Sequence, residues 1–277
     1  MTETFAFLFG LVFGSFLNVC IRRLPRHESV VTPGSHCPAC GTPIRARDNI
    51  PVLSYLLLRG RCRWCGRHIS LEYPLVELLT GALFLGCYLQ FGATLAGMKW
   101  TLFCAILLVL TFTDFHDRIL PDRVNFFGLA AGIALSPFVA TPDGLARWLL
   151  VSHFSLTIPE TIVGLADSIL GAVIAGGLLW IFAEGYFRLR GREGMGLGDV
   201  KMMAMAGSFL GVRGAIGMLL FGSIIGSLVG AIAVWGLGKG RDYELPFGSF
   251  LAIAGIFLIF AGGPVLHWYL ATSGLAR

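Results

Sequence analysis

An all-α polytopic membrane protein is the fold class this sequence predicts, and three observations predict it. Hydrophobic residues make up 56% of the 277 and charged residues only 13%, against about 25% charged in ordinary soluble domains. The apolar residues gather into eight runs, and eight spans at ~20 residues each would use ~160 residues, close to the hydrophobic fraction. The basic residues are sorted by position along the chain rather than scattered. A soluble enzyme, a disordered chain, a collagen-like repeat and a secreted disulfide scaffold are all excluded.

The first run, Phe5 to Ile21, has no basic residue before it, and Arg22, Arg23 and Arg26 follow it. A secretory signal has the opposite polarity. Cys20 follows Val19, where a lipoprotein cleavage site wants a small residue, so the run is retained as the first span. Further spans are expected near 73–91, 100–113, 124–140, 162–183, 201–211, 215–236 and 250–270. The sixth is short and contains glycine; it is required if Arg190 and Lys239 are to share one side. No internal repeat is read from the chain.

Orientation follows from the basic residues. With the N-terminus outside, 17 of the 21 Lys and Arg fall on the inner side, nine of them in 22–72. Lys99, Arg147, Arg213 and Arg277 remain outside, so the positive-inside rule sends both termini outward. The segment 141–161 then lies outside, with Trp148 to Phe154 along the interface and Trp268 and Tyr269 in an aromatic belt. The predicted organisation is a first transmembrane helix (1–21), a cytoplasmic loop domain (22–72) that holds both C-x-x-C pairs, and a helix bundle (73–277) whose candidate acids fall within about 100–270.

Two chemical constellations stand out. Cys37-Pro-Ala-Cys40 and Cys62-Arg-Trp-Cys65 are paired C-x-x-C turns, each followed by a glycine, Gly41 or Gly66. Four thiolates saturate a tetrahedral zinc ion and leave no open position, so the expected site is structural. The rival readings are two disulfides or four free thiols, which a reducing cytoplasmic loop disfavours for the disulfides. Cys20, Cys87 and Cys104 stand singly in apolar runs and read as small hydrophobes. No H-E-x-x-H occurs, which argues against a metalloprotease.

The second constellation is acidic. Asp114 ends the third span, in Thr113-Asp-Phe-His-Asp-Arg-Ile-Leu-Pro-Asp122, and Asp199 opens the sixth, in Gly194-Met-Gly-Leu-Gly-Asp-Val-Lys201. Acids near a bilayer are costly and are functional candidates by default. The topology gives Asp114 and Asp199 one depth and one side. Two carboxylates that share a site do not both ionise easily; one keeps a proton while the other activates water, as in aspartic proteolysis. Gly196, Gly198 and Lys201 mark where an extended peptide could approach the backbone. Asp117 and Asp122 also read as solvated acids pairing with Arg118 and Arg123, and Asp167 and Glu77 as partners for neighbouring helices. The phenylalanines Phe5, Phe7, Phe9 and Phe13 read as lipid-facing or packing residues.

Over almost its whole length the chain resembles the bacterial type IV prepilin peptidases, also called prepilin leader peptidase/N-methyltransferases. The likeness rests on Gly14-Ser-Phe-Leu-Asn-Val19, Arg23-Leu-Pro25, both cysteine pairs, Asn49-Ile-Pro-Val-Leu-Ser-Tyr55, Arg59-Gly-Arg-Cys62 and Tyr73-Pro-Leu-Val-Glu-Leu-Leu-Thr-Gly81. The Asp114 and Asp199 segments and Pro246-Phe-Gly248 complete it. The resemblance implies an inner-membrane aspartic protease of the G-x-G-D type, with Asp114 and Asp199 as the catalytic pair and the four cysteines as zinc ligands. It further implies cleavage of prepilins or type II secretion pseudopilins after a glycine, then methylation of the new N-terminus from S-adenosylmethionine. Asn18, Glu72, Glu77 and Gly81 are the methyl-transfer candidates by resemblance, with Arg22 behind them. Membrane lipid and the pilus or secretion machinery are the implied surroundings, and no nucleic acid is expected. Two other readings are carried: an ion-coupled transporter using Asp167, and a Mg²⁺-dependent lipid-headgroup transferase using Asp114, Asp117 and Asp122.

Overall fold

The structure, a computed structural model, describes residues 2–139, 141, 144–155, 157–191, 194–238 and 245–272. Among these it contains eight α-helices and no strand. The helices belong to two compact units, Met1–Val109 and Leu110–Arg277.

In the first unit α1 (Glu3–Arg23) packs along α3 (Glu72–Phe91), and the short α2 (Leu53–Leu57) lies in the polar loop between them. Helices in lipid gain no hydrophobic energy by associating, so they approach through small residues. A Cβ added at Gly10 would stand 2.7 Å from the Gly81 Cα, and one at Gly14 2.7 Å from the Glu77 Cα. Gly10-Leu-Val-Phe-Gly14 is thus a small-x-x-x-small contact that the sequence displayed and the spans alone did not bring out. Phe13 packs its ring 5.4 Å from that of Phe84, while Phe5 and Phe9 stay half exposed. Gly92 then ends α3, and α4 (Leu95–Asp117) begins by folding back. Phe91 meets Trp100 with ring centroids 6.0 Å apart, and Cys87 meets Cys104 with sulfurs 3.9 Å apart. Cys20, Cys87 and Cys104 are all buried, as small hydrophobes.

The second unit holds the end of α4 with α5 (Asp122–Leu135), α6 (Glu160–Arg190), α7 (Leu197–Ala231) and α8 (Phe247–Thr272). At 35 residues α7 would be ~52 Å long, well beyond a ~30 Å hydrocarbon core. It is broken at Gly211, whose φ of 68° and ψ of −176° belong to a region essentially confined to glycine. The chain reverses there. Before the break, Gly207 and Ala204 face Gly171 and Gly176 of α6; after it, Gly217, Gly222 and Gly226 face Leu258, Leu251 and Phe250 of α8. We label the halves α7a (197–210) and α7b (212–231). α5 runs alongside α7a in the same direction, with Leu120 against Gly198 and Gly132 against Ser208.

Among the described residues six helices are long and apolar enough to cross a membrane when α7 is counted once. Dividing α7 at Gly211 and adding α5 recovers the eight helical segments expected. α5 is shorter than the predicted 124–140: it ends at Leu135 after 14 residues. Pro137 has no N–H for the Ile133 carbonyl, and the Ser136 hydroxyl donates to that oxygen instead, at 2.7 Å. The segment expected along the interface contains a π-helical turn, Arg147–His153. Lys239, Arg277 and the side chains of Trp268 and Tyr269 lie outside the described residues.

Candidate functional site

The four cysteines of the polar loop come together. Their sulfurs all lie within 4.8 Å of one another, and no disulfide joins them. A zinc ion with ~2.3 Å bonds to a tetrahedron of sulfurs sets neighbouring sulfurs ~3.8 Å apart; Cys37 and Cys65 stand at 3.9 Å. The donor set therefore fits zinc. Each pair sits on the same local frame. Gly41 N–H donates to the Cys37 carbonyl and Gly66 N–H to that of Cys62, at 2.8 and 3.0 Å. Both glycines have positive φ, 69° and 67°, which a side chain rarely tolerates. Ile44 N–H then closes onto Ser35 and Ile69 N–H onto Gly60, each at 2.8 Å. Residues 35–44 and 60–69 are thus one ten-residue unit used twice. The expectation of no internal repeat is corrected: Cys, Cys, Gly and Ile recur at equal offsets, too few identities to stand out in the sequence.

The two halves are tied by charge. Arg63 donates to both oxygens of Asp48 at 2.6–3.0 Å and thereby holds that carboxyl below the usual range. The Arg45 guanidinium lies 5.2 Å over the Trp64 ring. The Thr42 hydroxyl and then its backbone beside Cys40 pull that thiol down to about 6, and the backbone N–H groups of Cys65 and Trp64 lower Cys62. Against the Arg67 backbone bond that lowers it, burial and the neighbouring thiols push Cys65 up to about 11, so the four do not ionise alike. A metal binds the thiolate form.

The methyl-transfer candidates share the α1–α3 seam, each with a partner of its own. Asn18 donates to the Tyr73 carbonyl at 3.0 Å. Glu72 stands 3.8 Å from Arg22, whose guanidinium covers the Tyr73 ring at 4.9 Å. Glu77 accepts the Val52 N–H of the loop at 2.8 Å and also hydrogen-bonds the Ser15 side chain of α1, the neighbouring-helix partner expected. Val52 has φ 60°, unusual for a β-branched residue. Gly81 makes room for Phe7 and Leu11, which accounts for it by packing. Beside this seam an open cleft of ≈ 460 Å³ is lined by Val12, Ser15, Phe16 and Val19 of α1 and by Ser35, Asn49, Ile50 and Pro51.

In the second unit the two aspartates lie near one another at helix ends. Asp114 is buried at the end of α4, and Asp199 is buried in the first turn of α7a. Each lies within Coulombic range of the other. The Leu120 side chain packs against both approaches: a Cβ at Gly198 would come within 3.1 Å of it, and one at Gly248 within 2.8 Å of it and 3.2 Å of Asp114 Oδ2. Gly198 is therefore filled by Leu120, whereas the Cβ position at Gly196 is open, its nearest neighbours 3.8 Å away. Asp114 has a partner the sequence did not reveal. Ser249, in the first turn of α8, donates its backbone N–H to Asp114 Oδ2 at 2.6 Å, and its Oγ stands 3.0 Å from the same oxygen and 2.9 Å from the Thr111 carbonyl. The Pro246-Phe-Gly248 run ended one residue short of it.

The remaining acids have other work. Asp122 is paired with Lys201 at 2.7 Å rather than with Arg118 or Arg123, so both the Mg²⁺ reading and the substrate-approach reading of Lys201 lose a free group. Lys201 also lies 5.8 Å over the Phe126 ring. Asp167 accepts the Ala146 N–H at 2.6 Å, fastening the segment before α6 and not a neighbouring helix. Asp117 is exposed at the end of α4.

The fold and the neighbouring aspartates define a multi-pass helical membrane protein with an acidic centre in its second unit. The chain belongs to the type IV leader peptidase family. Residues 101–231 match that family, and residues 8–91 match the bacterial peptidase A24 N-terminal domain. It is 34% identical over 302 residues to a prepilin leader peptidase/N-methyltransferase of Burkholderia pseudomallei (strain 1026b), covering 99% of this chain and 89% of that one. It is 39% identical over 237 residues to one of Myxococcus xanthus (85% and 64% covered), and 35% identical over 292 residues to one of Neisseria gonorrhoeae (96% and 93%). No solved structure matches the chain.

Proposed function

We propose that this protein is a prepilin leader peptidase and N-methyltransferase of the bacterial inner membrane, with Asp114 and Asp199 as its catalytic pair. The observation that carries the reading is the nearness of these two buried carboxylates at the ends of α4 and α7a, in a chain of this family. One carboxylate takes a proton from water as it attacks the scissile carbonyl, and the other gives its own proton to the carbonyl oxygen. As the C–N bond breaks, the proton taken from water passes to the departing amine and the second carboxylate recovers one from the gem-diol. Ser249 fixes one oxygen of Asp114, which leaves Oδ1 to face the water. Gly196 leaves room beside Asp199 for an extended substrate backbone.

Cys37, Cys40, Cys62 and Cys65 would hold one zinc ion as a structural staple. S-adenosylmethionine would supply an electrophilic methyl group. The cleft beside α1 is within the ~300–1,000 Å³ usual for small-molecule sites, with Ser15 and Asn49 on its wall, so these residues with Glu77 would hold that donor. The basic residues Arg118, Arg188 and Arg190 gather at the helix ends that carry the aspartates. By the positive-inside rule that end is cytoplasmic, and both termini are periplasmic. The substrates are prepilins or the pseudopilins of type II secretion, supplied to the pilus or secretion machinery. The transporter and lipid-headgroup readings are not favoured.

The test is incubation of the purified protein with a prepilin and isotope-labelled S-adenosylmethionine. Mass analysis should show leader removal after a glycine and one added methyl on the new N-terminus. An intact substrate with a metal-loaded, folded enzyme would refute the reading.

A further inference from the structure

The polar loop is not wholly outside the membrane region defined by its own helices. Val52 is tied to Glu77, five residues into α3 and so ~7.5 Å along its axis. Asn49, Ile50 and Pro51 share a cleft wall with Val12 to Val19 of α1, positions ~6–16 Å from the Arg23 end of that helix. The chain between the two cysteine units therefore turns back along both spans. Its polar groups are served internally: Ser54 Oγ donates to the Arg47 carbonyl and accepts the Ile50 N–H, at 3.1 and 3.0 Å, and the Tyr55 hydroxyl donates to the Ile69 carbonyl at 3.2 Å. That internal service is what backbone at membrane depth requires.

The outer face of this segment is apolar. Leu53, Leu56 and Leu57 stand at i, i+3 and i+4 on α2, exposed by 49%, 65% and 73%. The two spans of this unit also carry exposed apolar side chains, Leu75 and Leu78 on α3 and Val12 and Phe16 on α1, the last two on the cleft wall shared with Ile50 and Pro51. Arg47, Arg59, Arg61 and Arg67 flank them, all exposed. A short helix with leucines on one face and arginines around it suits the boundary between acyl chains and anionic headgroups.

We propose that α2 is an interfacial helix, buried by its leucine face in the leaflet at the Arg23 end of α1, and that it holds the cysteine units and the cleft against the membrane surface. The occupant is lipid. The segment thus joins a polar metal domain to the bilayer without another span.

The experiment uses the unmodified full-length protein, metal-loaded, in vesicles of phosphatidylethanolamine and phosphatidylglycerol. An aryl diazirine that partitions into the acyl phase is photolysed, and tryptic peptides are mapped by mass. Cleavage after Arg47 and Arg59 releases α2 as residues 48–59, and cleavage after Arg26 and Arg45 releases the first cysteine unit as 27–45. The expected result is adducts on Leu53, Leu56 and Leu57 at a level comparable with Leu75 and Leu78, and at least fivefold above 27–45. Replacing Leu56→Glu and Leu57→Glu together should lower labelling of 48–59 several-fold with the metal content unchanged. Labelling of 48–59 no greater than that of 27–45 would overturn the proposal. So would adducts confined to Asn49–Pro51, which would mean that the reagent entered the cleft, and so would labelling that the double variant leaves unchanged.

Discussion

All four thiols of the polar loop come from 29 consecutive residues, 37–65, held by turns that each close within ten residues. The aspartate pair draws instead on α4, the Leu120 linker, α7a and α8, and its closest hydrogen bond joins residues 135 apart in sequence. The first region is organised by local backbone geometry and would be locked by one ion. The second exists only when three helix ends and a linker arrive together. A region of the first kind fails when its own residues change; a region of the second kind also fails when distant packing shifts.

The sharpest way to break this comparison is at the acids themselves. Asp114→Asn or Asp199→Asn keeps the side-chain shape but cannot exchange the proton that activates water. Leader cleavage should fall by roughly 10²- to 10⁴-fold, the usual worth of a positioned acid or base, while zinc content per chain is unchanged. Mass-detected cleavage and metal analysis on the same preparation check both halves. Ordinary cleavage by either variant would remove that residue from the pair.

At the other region the expectation is reversed. Cys37→Ser or Cys65→Ser should take the metal content from about one ion per chain to near none, since a structural zinc site needs its four ligands. The stretch 36–66 should become the first site of proteolytic nicking in the folded protein. Cleavage of the leader should drop far less than in the aspartate variants, by about tenfold at most, because the acid centre lies in the other compact unit. A loss as large as that of Asp199→Asn in a chain whose helices remain intact would erase the distinction between the two regions.

What the sequence displayed follows the same division. C-x-x-C spacing is a local code, so the cysteine cluster was legible from Cys37, Cys40, Cys62 and Cys65 alone. The spans were legible because apolar length is local too, and α1, α3 and α8 fall close to the expected runs. Asp114 and Asp199 could be paired only through the topology, and what surrounds them could not be read. Ser249 is an ordinary serine in the sequence; its value lies in which carboxylate the α8 N-terminus meets. Glu77 looked like a candidate for chemistry, but the structure also gives it the N–H of Val52. Such pairings are set by tertiary packing, which no window of sequence contains. The turn at Gly211 was half legible: a break was expected between 211 and 215, but nothing local said that α7a would run antiparallel to α6.

The smallest expected effect tests how the second region is held. Ser249 N–H and Oγ both address Asp114 Oδ2, so the serine acts through the aspartate and not on substrate. Ser249→Ala keeps the backbone N–H and removes only the hydroxyl, whose hydrogen is shared with the Thr111 carbonyl. The loss should be that of one net hydrogen bond, ~0.5–1.5 kcal/mol, or roughly two- to tenfold in rate. Because the misplacement concerns the attacking geometry, the fall should appear in kcat with KM nearly unchanged. Ser249→Thr restores a hydroxyl on the same Cβ and should recover most of the rate. A serine that merely packed the α8 N-terminus would instead lower thermal stability without the split between kcat and KM. Equal cleavage by the alanine and threonine variants would show that the N–H alone positions Asp114.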